Sequence, residues 1–264
     1  MDRGIWAIWY DIAAAQRAAY LEWFHEVHIP EKLARPGYLW AAHYELTREG
    51  THPGYLALFG GNSTHTFFNP SPRQLLRRQS AQTKEFMGMR RNSSSAIFGE
   101  EVRIDGPAAA QRGPGPATGP AIQLGNYNAA NAAVEDDLGA WYAQERLPLL
   151  AKMPGCMGAR KMLTTAGEYK HAILHEFASL ALRECHFAPH EADARDPETW
   201  MGRVRYGTAR RRSCRRCGRS RTPAPAGRRS SPADRCRARR TCSRGPCPSG
   251  PASATSGARP PGRR

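Results

Sequence analysis

Residues 23–38 read Trp-Phe-His-Glu-Val-His-Ile-Pro-Glu-Lys-Leu-Ala-Arg-Pro-Gly-Tyr, and residues 141–156 read Trp-Tyr-Ala-Gln-Glu-Arg-Leu-Pro-Leu-Leu-Ala-Lys-Met-Pro-Gly-Cys. Aligned without a gap, Trp23 falls on Trp141, Pro30 on Pro148, and Pro36-Gly37 on Pro154-Gly155. Between them Phe24 meets Tyr142 and Ile29 meets Leu147. An aromatic, two prolines and a glycine in register mark an internal repeat, and a repeat governs the reading of everything around it.

Outward from this block the two flanks agree. Residues 5–11 (IWAIWYD) and 122–128 (IQLGNYN) read as short strands. The first is continuously apolar and aromatic, as a strand buried on both faces would be. Each leads into an Ala-rich helical stretch, 13–27 and 129–146. After each Pro-Gly comes a strand (39–46; 157–163), a turn, and a further strand (55–60; 171–177). A second helix follows at 72–90 in the first copy, and a fourth strand at 94–104 closes it. The order β-α-β-β-α-β is the split βαβ, ferredoxin-like unit. Helices cover one face of such a sheet, and a second copy can cover the other. The fold class expected is therefore α+β: tandem ferredoxin-like modules packed as an intramolecular α+β barrel. The sequence predicts a first module over 1–106, a Pro/Gly/Ala-rich linker over 107–120, a second module over 121–206 that lacks its last strand, and a tail over 207–264.

The tail explains the chain's odd totals. The 264 residues carry a net charge of +16. Residues 207–264 hold 17 Arg, no Lys and one acidic residue, Asp234, for a net of +16. Residues 1–206 hold the other 22 basic and 22 acidic residues and are neutral. The body therefore argues against nucleic-acid binding, which would rest wholly on the tail. From Thr208 onward the tail has no large apolar side chain. Such a segment cannot offset its ordering entropy and is expected to be disordered. It starts abruptly where the last strand is due, and its residues are mostly those of G+C-rich codons, which suggests a shifted reading frame. Cys214 and Cys217 lack a second close pair and any histidine to complete a zinc site. Only Cys156 and Cys185 lie in the body, as in a reduced, cytoplasmic protein. No run of apolar residues suits a signal peptide or the roughly 20 residues of a membrane span.

The tandem plan, together with Trp23, His28, Ile29, Pro30, Pro36, Gly37 and Tyr38, resembles the EthD-like members of the dimeric α+β barrel superfamily over residues 4–206. That resemblance implies two sheets packed face to face, with a pocket commonly lying between a sheet and its helices. It also implies a small-molecule enzyme working without a nucleotide cofactor, of oxidoreductase, decarboxylase, cyclase or isomerase type. A non-catalytic ligand-binding or assembly protein of the same fold is the alternative, and homo-oligomers occur among such proteins. Arg146 stands where the first copy has His28, so the motif is complete only once.

His28 is the candidate general base, acting on a small acidic carbon or phenol. His25, three residues before it, can share its helix face. A metal site at Glu22, His25 and His28 has no recognised ligand spacing, so none is expected. His43 and Tyr44 point to opposite faces of their strand, so one of them should face the pocket. Trp23, His25, His43, Tyr44, Arg146 and His175 are the candidate ligand-binding residues. His171 and His175, four apart on a strand, share a face. Trp6, Trp9, Trp40 and Phe59 read as core or pocket wall. The ligand expected is small and hydrophobic or aromatic. No phosphate-binding glycine loop accompanies these residues, and no cofactor is expected.

Overall fold

A computed structural model of the chain describes residues 2–46, 54–112, 118–195, 204–206 and 212–216. The first module runs β1 (Gly4–Asp11), α1 (Arg17–Trp23), α2 (Ile29–Leu33), β2 (Tyr38–Leu46), β3 (Gly54–Gly61), α3 (Pro72–Arg77), α4 (Ala81–Gly88) and β4 (Arg91–Asp105). The second runs β5 (Ala121–Ala129), α5 (Ala132–Trp141), α6 (Leu147–Leu150), β6 (Cys156–Ala166), β7 (His171–Phe177), α7 (Leu180–Leu182), β8 (Val204–Tyr206) and β9 (Arg212–Arg216). The β-α-β-β-α-β order thus occurs twice.

Three π turns share one cause. Each of Phe24–His28, Tyr142–Arg146 and Arg183–Phe187 ends two residues before a proline: Pro30, Pro148 and Pro189. A proline inside a helix removes an N–H, and its ring collides with the carbonyl four residues back. Widening the preceding turn shifts that carbonyl away. Ile29 and Leu147 then bond five residues back, to Phe24 and Tyr142. The chain leaves each helix through Gly37 and Gly155, both at positive φ (85° and 76°), where a side chain would be strained. The repeated block therefore folds the same way twice.

The strands close into a ring in the order β7-β6-β4-β1-β3-β2-β9-β5, with β5 pairing back onto β7. Every pairing is antiparallel. β4 joins the two halves, pairing with β1 along its first part and with β6 along its second. Alternation along β1 sends Ile5, Ala7 and Trp9 into the ring, and Trp6, Ile8 and Tyr10 out under α1 and α2. The ring's interior is filled by apolar residues from both modules, including Trp40, Phe98, Ile122 and Leu174. Separate apolar layers lie between each sheet and its helices.

The second module differs from the sequence reading at its end. Backbone pairing continues past Tyr206: Val204–Tyr206 and Arg212–Arg216 both lie along β5, and Arg212–Arg216 also reaches β2. The edge expected to lack a strand is therefore covered. Ladder bonds use backbone groups that any residue except proline supplies. A strand of Arg, Ser and Cys shows no alternation, so composition alone conceals it. The expected disorder of the tail concerns residues that otherwise lie outside those described.

An ionic seam ties the modules together. Arg160, on β6 and 1% exposed, reaches Asp2 at 2.7 Å and Glu176 at 3.1 Å. The Trp40 Nε1–H donates to Asp2 at 2.8 Å, Arg103 reaches Asp2 at 2.9 Å, and Arg112 reaches Glu176 at 3.3 Å. Burial pushes the Asp2 carboxyl up, but the charge and hydrogen bond of Arg160, with Arg103 and Trp40, overcome this and hold it at about 2. The folded value lies below the unfolded 3.8, so this stabilisation is complete above 3.8 and lost as pH falls through about 2. Breaking a buried pair strands the partner's charge. We expect Asp2→Asn to cost about 2–4 kcal/mol in urea unfolding at neutral pH. The gap to wild type should close at the acid end of the titration, and a constant gap would contradict the assignment.

Candidate functional site

The first module's sheet–helix layer collects most of the candidate residues. His28, at the end of the first π turn, is 2% exposed. Its ring lies 4.9 Å from that of Trp23 and 5.4 Å from that of Phe24. Among the described residues its Nδ1 has no hydrogen-bond partner. Burial, then the positive charges of Lys32, Arg90 and Arg35, hold its pKa well below 6.5. The imidazole is therefore neutral near pH 7.

Lys32 lies one helical turn beyond His28 and is 4% exposed. Its ammonium sits 4.6 Å above the Trp6 ring. Burial and the charges of Arg35 and Arg90 lower its pKa to about 7, against a smaller opposing pull from Glu31. Within the same apolar layer, the Nε1 atoms of Trp6 and Trp23, the Tyr38 hydroxyl and Nη2 of Arg90 also lack partners among the described residues. Buried polar groups are normally paired, so this concentration of unpaired ones at one place is unusual.

Arg90 is held by a hydrogen-bonded chain. Its Nε–H donates to the Tyr20 hydroxyl at 2.7 Å, and its guanidinium covers the Tyr10 ring at 4.4 Å. Tyr20 bonds to Tyr10. Tyr10 lies 2.7 Å from His43 Nε2, and His43 Nδ1 lies 2.9 Å from His25 Nε2. A guanidinium can only donate. The direction that uses every hydrogen therefore runs from Arg90 through Tyr20 and Tyr10, so that His43 donates from Nδ1 to His25. Burial, with the charges of His25 and Arg90, keeps the pKa of His43 well below its ordinary range.

Trp23, His25, His28 and His43 thus come together. Tyr44 does not belong with them. It points into the ring, and its hydroxyl meets Thr118 at 2.5 Å and donates to the Gly119 carbonyl at 2.8 Å. Alternation fixes that 43 and 44 face opposite ways; packing against Phe24, at 4.5 Å from the His43 ring, decides which one faces the helices. Arg146 and His175 lie in the other module's layer, where both approach Phe187, at 4.8 Å and 4.7 Å. His171 stacks on Tyr127 and bonds Glu135 at 3.1 Å. Sequence reasoning missed Lys32, Tyr10 and Arg90. The spacing of Lys32 from His28 was the available signal. A shallow cleft elsewhere, at one end of the ring, involves Trp9, Phe98 and Asn126. Among the described residues no group of three or more His, Cys, Asp or Glu could hold a metal ion. No helix among them is long and apolar enough to cross a membrane.

No protein-family model matches the chain. No curated protein matches it either. Solved structures do. A provisionally assigned monooxygenase of Fusobacterium nucleatum is 10% identical, with a TM-score of 0.54 over 84% of this chain and 95% of that one. An anthrone oxidase-like protein is 11% identical, with a TM-score of 0.55 over 85% and 95%. A provisionally assigned chlorite dismutase is 12% identical, with a TM-score of 0.55 over 83% and 96%. The chain shares their ferredoxin-like α+β barrel fold.

The folded pKa of Lys32, about 7, lies below the unfolded 10.5. Between these values the unfolded chain binds more protons, so stability rises with pH. Below about 7 the full cost of the buried charge is present, on the order of 3–5 kcal/mol. Tyr38, pushed up from 10.0 to about 12, and Cys156, pushed up from 9.0 to about 11, lower stability at the upper end of this window, but equally in wild type and a Lys32 variant. Lys32→Met should therefore raise the unfolding free energy at about pH 6, with the gain shrinking towards about pH 10. Destabilisation at both pH values would show that the ammonium is satisfied where it lies.

Proposed function

We propose that the chain is a small-molecule enzyme of the EthD-like kind that works without a nucleotide cofactor. Its neutral His28 takes a proton from an acidic C–H or O–H of a small hydrophobic or aromatic ligand held between the first sheet and its helices. The observation that supports this reading is the His28 Nδ1, buried and without a partner among the described residues, inside a group of cations.

A histidine with so low a pKa is a weak base, so proton transfer needs help from elsewhere. Lys32 and Arg90 supply it by stabilising the anion that forms as the proton leaves. That anion in turn favours the imidazolium, raising the pKa of His28 while the pair persists. A proton held so weakly is easily returned, which suits isomerisation or cyclisation. The same electron-rich anion is the form from which decarboxylation products are protonated or oxygen is reduced directly. The His25–His43–Tyr10–Tyr20 chain positions Arg90 rather than touching ligand. Arg146, in place of a base, leaves the second module to act as barrel partner. The reduced body cysteines suit a cytoplasmic setting.

A simple carbon acid tests the base. In D2O, exchange of the α-methylene protons of 2-tetralone, followed by proton NMR, should be accelerated by the wild-type protein. His28→Gln should lose that acceleration by about 10²-fold or more. Equal exchange with both proteins would leave the non-catalytic binding protein as the better reading.

A further inference from the structure

The charges around His28 do not balance. Lys32 is buried, Arg90 has a buried Nη2 with no partner among the described residues, and half-buried Arg35 acts on both Lys32 and His28. No carboxylate among the described residues lies within 4.0 Å of any of the three, whereas in the seam Arg160, a buried guanidinium, is closely paired with Asp2 and Glu176. The remaining unpaired groups lean the same way. Two indole N–H groups and a guanidinium nitrogen are donors only, the Tyr38 hydroxyl can donate or accept, and His28 Nδ1 accepts in the tautomer that carries its proton on Nε2. A buried charge without a partner is costly, and removing a buried group's partner leaves the whole desolvation penalty.

We infer that this layer takes a ligand that arrives already ionised, an aromatic carboxylate held by Lys32, Arg90 and Arg35. The inference names the substrate class of the proposed His28 site and rests on that reading for its catalytic meaning. The carboxylate supplies the missing counter-charge, and the ring lies among Trp6, Trp23 and Phe86. Trp23 and Phe86 stack on each other 4.8 Å apart in the same layer. The anionic group is separate from the charge that forms during reaction. One set of cations therefore serves twice, first in selecting the ligand and then in stabilising the anion that His28 produces. A ligand carboxylate also completes the protonation of Lys32, so binding takes up a proton.

The test uses the full chain, with 2-naphthoate and its neutral counterpart 2-naphthamide, titrated by tryptophan fluorescence and calorimetry at neutral pH. Naphthoate should bind at least about tenfold more tightly than the amide. Its binding should be accompanied by proton uptake from the buffer. Lys32→Met should lose that preference while melting at a higher temperature than wild type. Arg35→Gln, at a less buried position, provides a second variant and should weaken naphthoate alone. Equal affinity for the two compounds would overturn the inference. So would naphthoate binding that persists undiminished in Lys32→Met, because the arginines of 207–264 would then be its site. The two proposals fail separately. Charge-selective binding with 2-tetralone exchange independent of His28 removes the base and keeps the anion site. His28-dependent exchange without charge selectivity removes only the anion site.

Discussion

A four-stranded antiparallel sheet with helices on one face has a second apolar face that must be kept from water. That requirement shapes this molecule. Each module turns its bare face to the other, and the strands at the seams pair across to close the ring. The interior then fills with side chains from both sheets, leaving the sheet–helix layers as the places where polar chemistry can be housed. Arg160 fixes the join. A guanidinium buried between Asp2 and Glu176 tolerates little displacement, because either carboxylate moving away would leave it uncompensated.

Within the first layer the prolines control geometry. Pro30 forces the π turn, and that extra residue rotates the helix between Trp23 and Lys32. His28 and Lys32 consequently point towards the sheet, where both are buried. The second module repeats the turn with Arg146 and Leu150 at the corresponding positions. The same backbone device thus carries different side chains in the two halves, a histidine and a lysine in one and an arginine and a leucine in the other.

Much of this was legible in the sequence, for identifiable reasons. Gly37 and Gly155 needed a backbone conformation that few other residues accept, so their alignment revealed the repeat. The apolar run of β1 announced burial on both faces. Other features left no local trace. Lys32 reads as a solvated lysine until the fold buries it. Asp2, Arg160 and Glu176 are brought together only by ring closure. Tyr44 and His43 exchange roles under a one-residue shift, so packing against Phe24 had to decide between them. The strand at 212–216 carries no apolar alternation that would announce it.

The proposed chemistry needs an imidazole that stays neutral because of where it is buried and which cations surround it. Long-range nitrogen-15 NMR of the nine histidines, with His28→Gln providing the assignment, reads that state directly. Without ligand, the His28 ring should remain neutral well below the pH at which a solvated histidine titrates, with Nδ1 and Nε2 shifts characteristic of a single tautomer. Adding 2-naphthoate should raise its midpoint. A His28 that titrates near 6.5, as a solvated histidine does, and ignores the ligand would contradict its role as a neutral base beside an anion site.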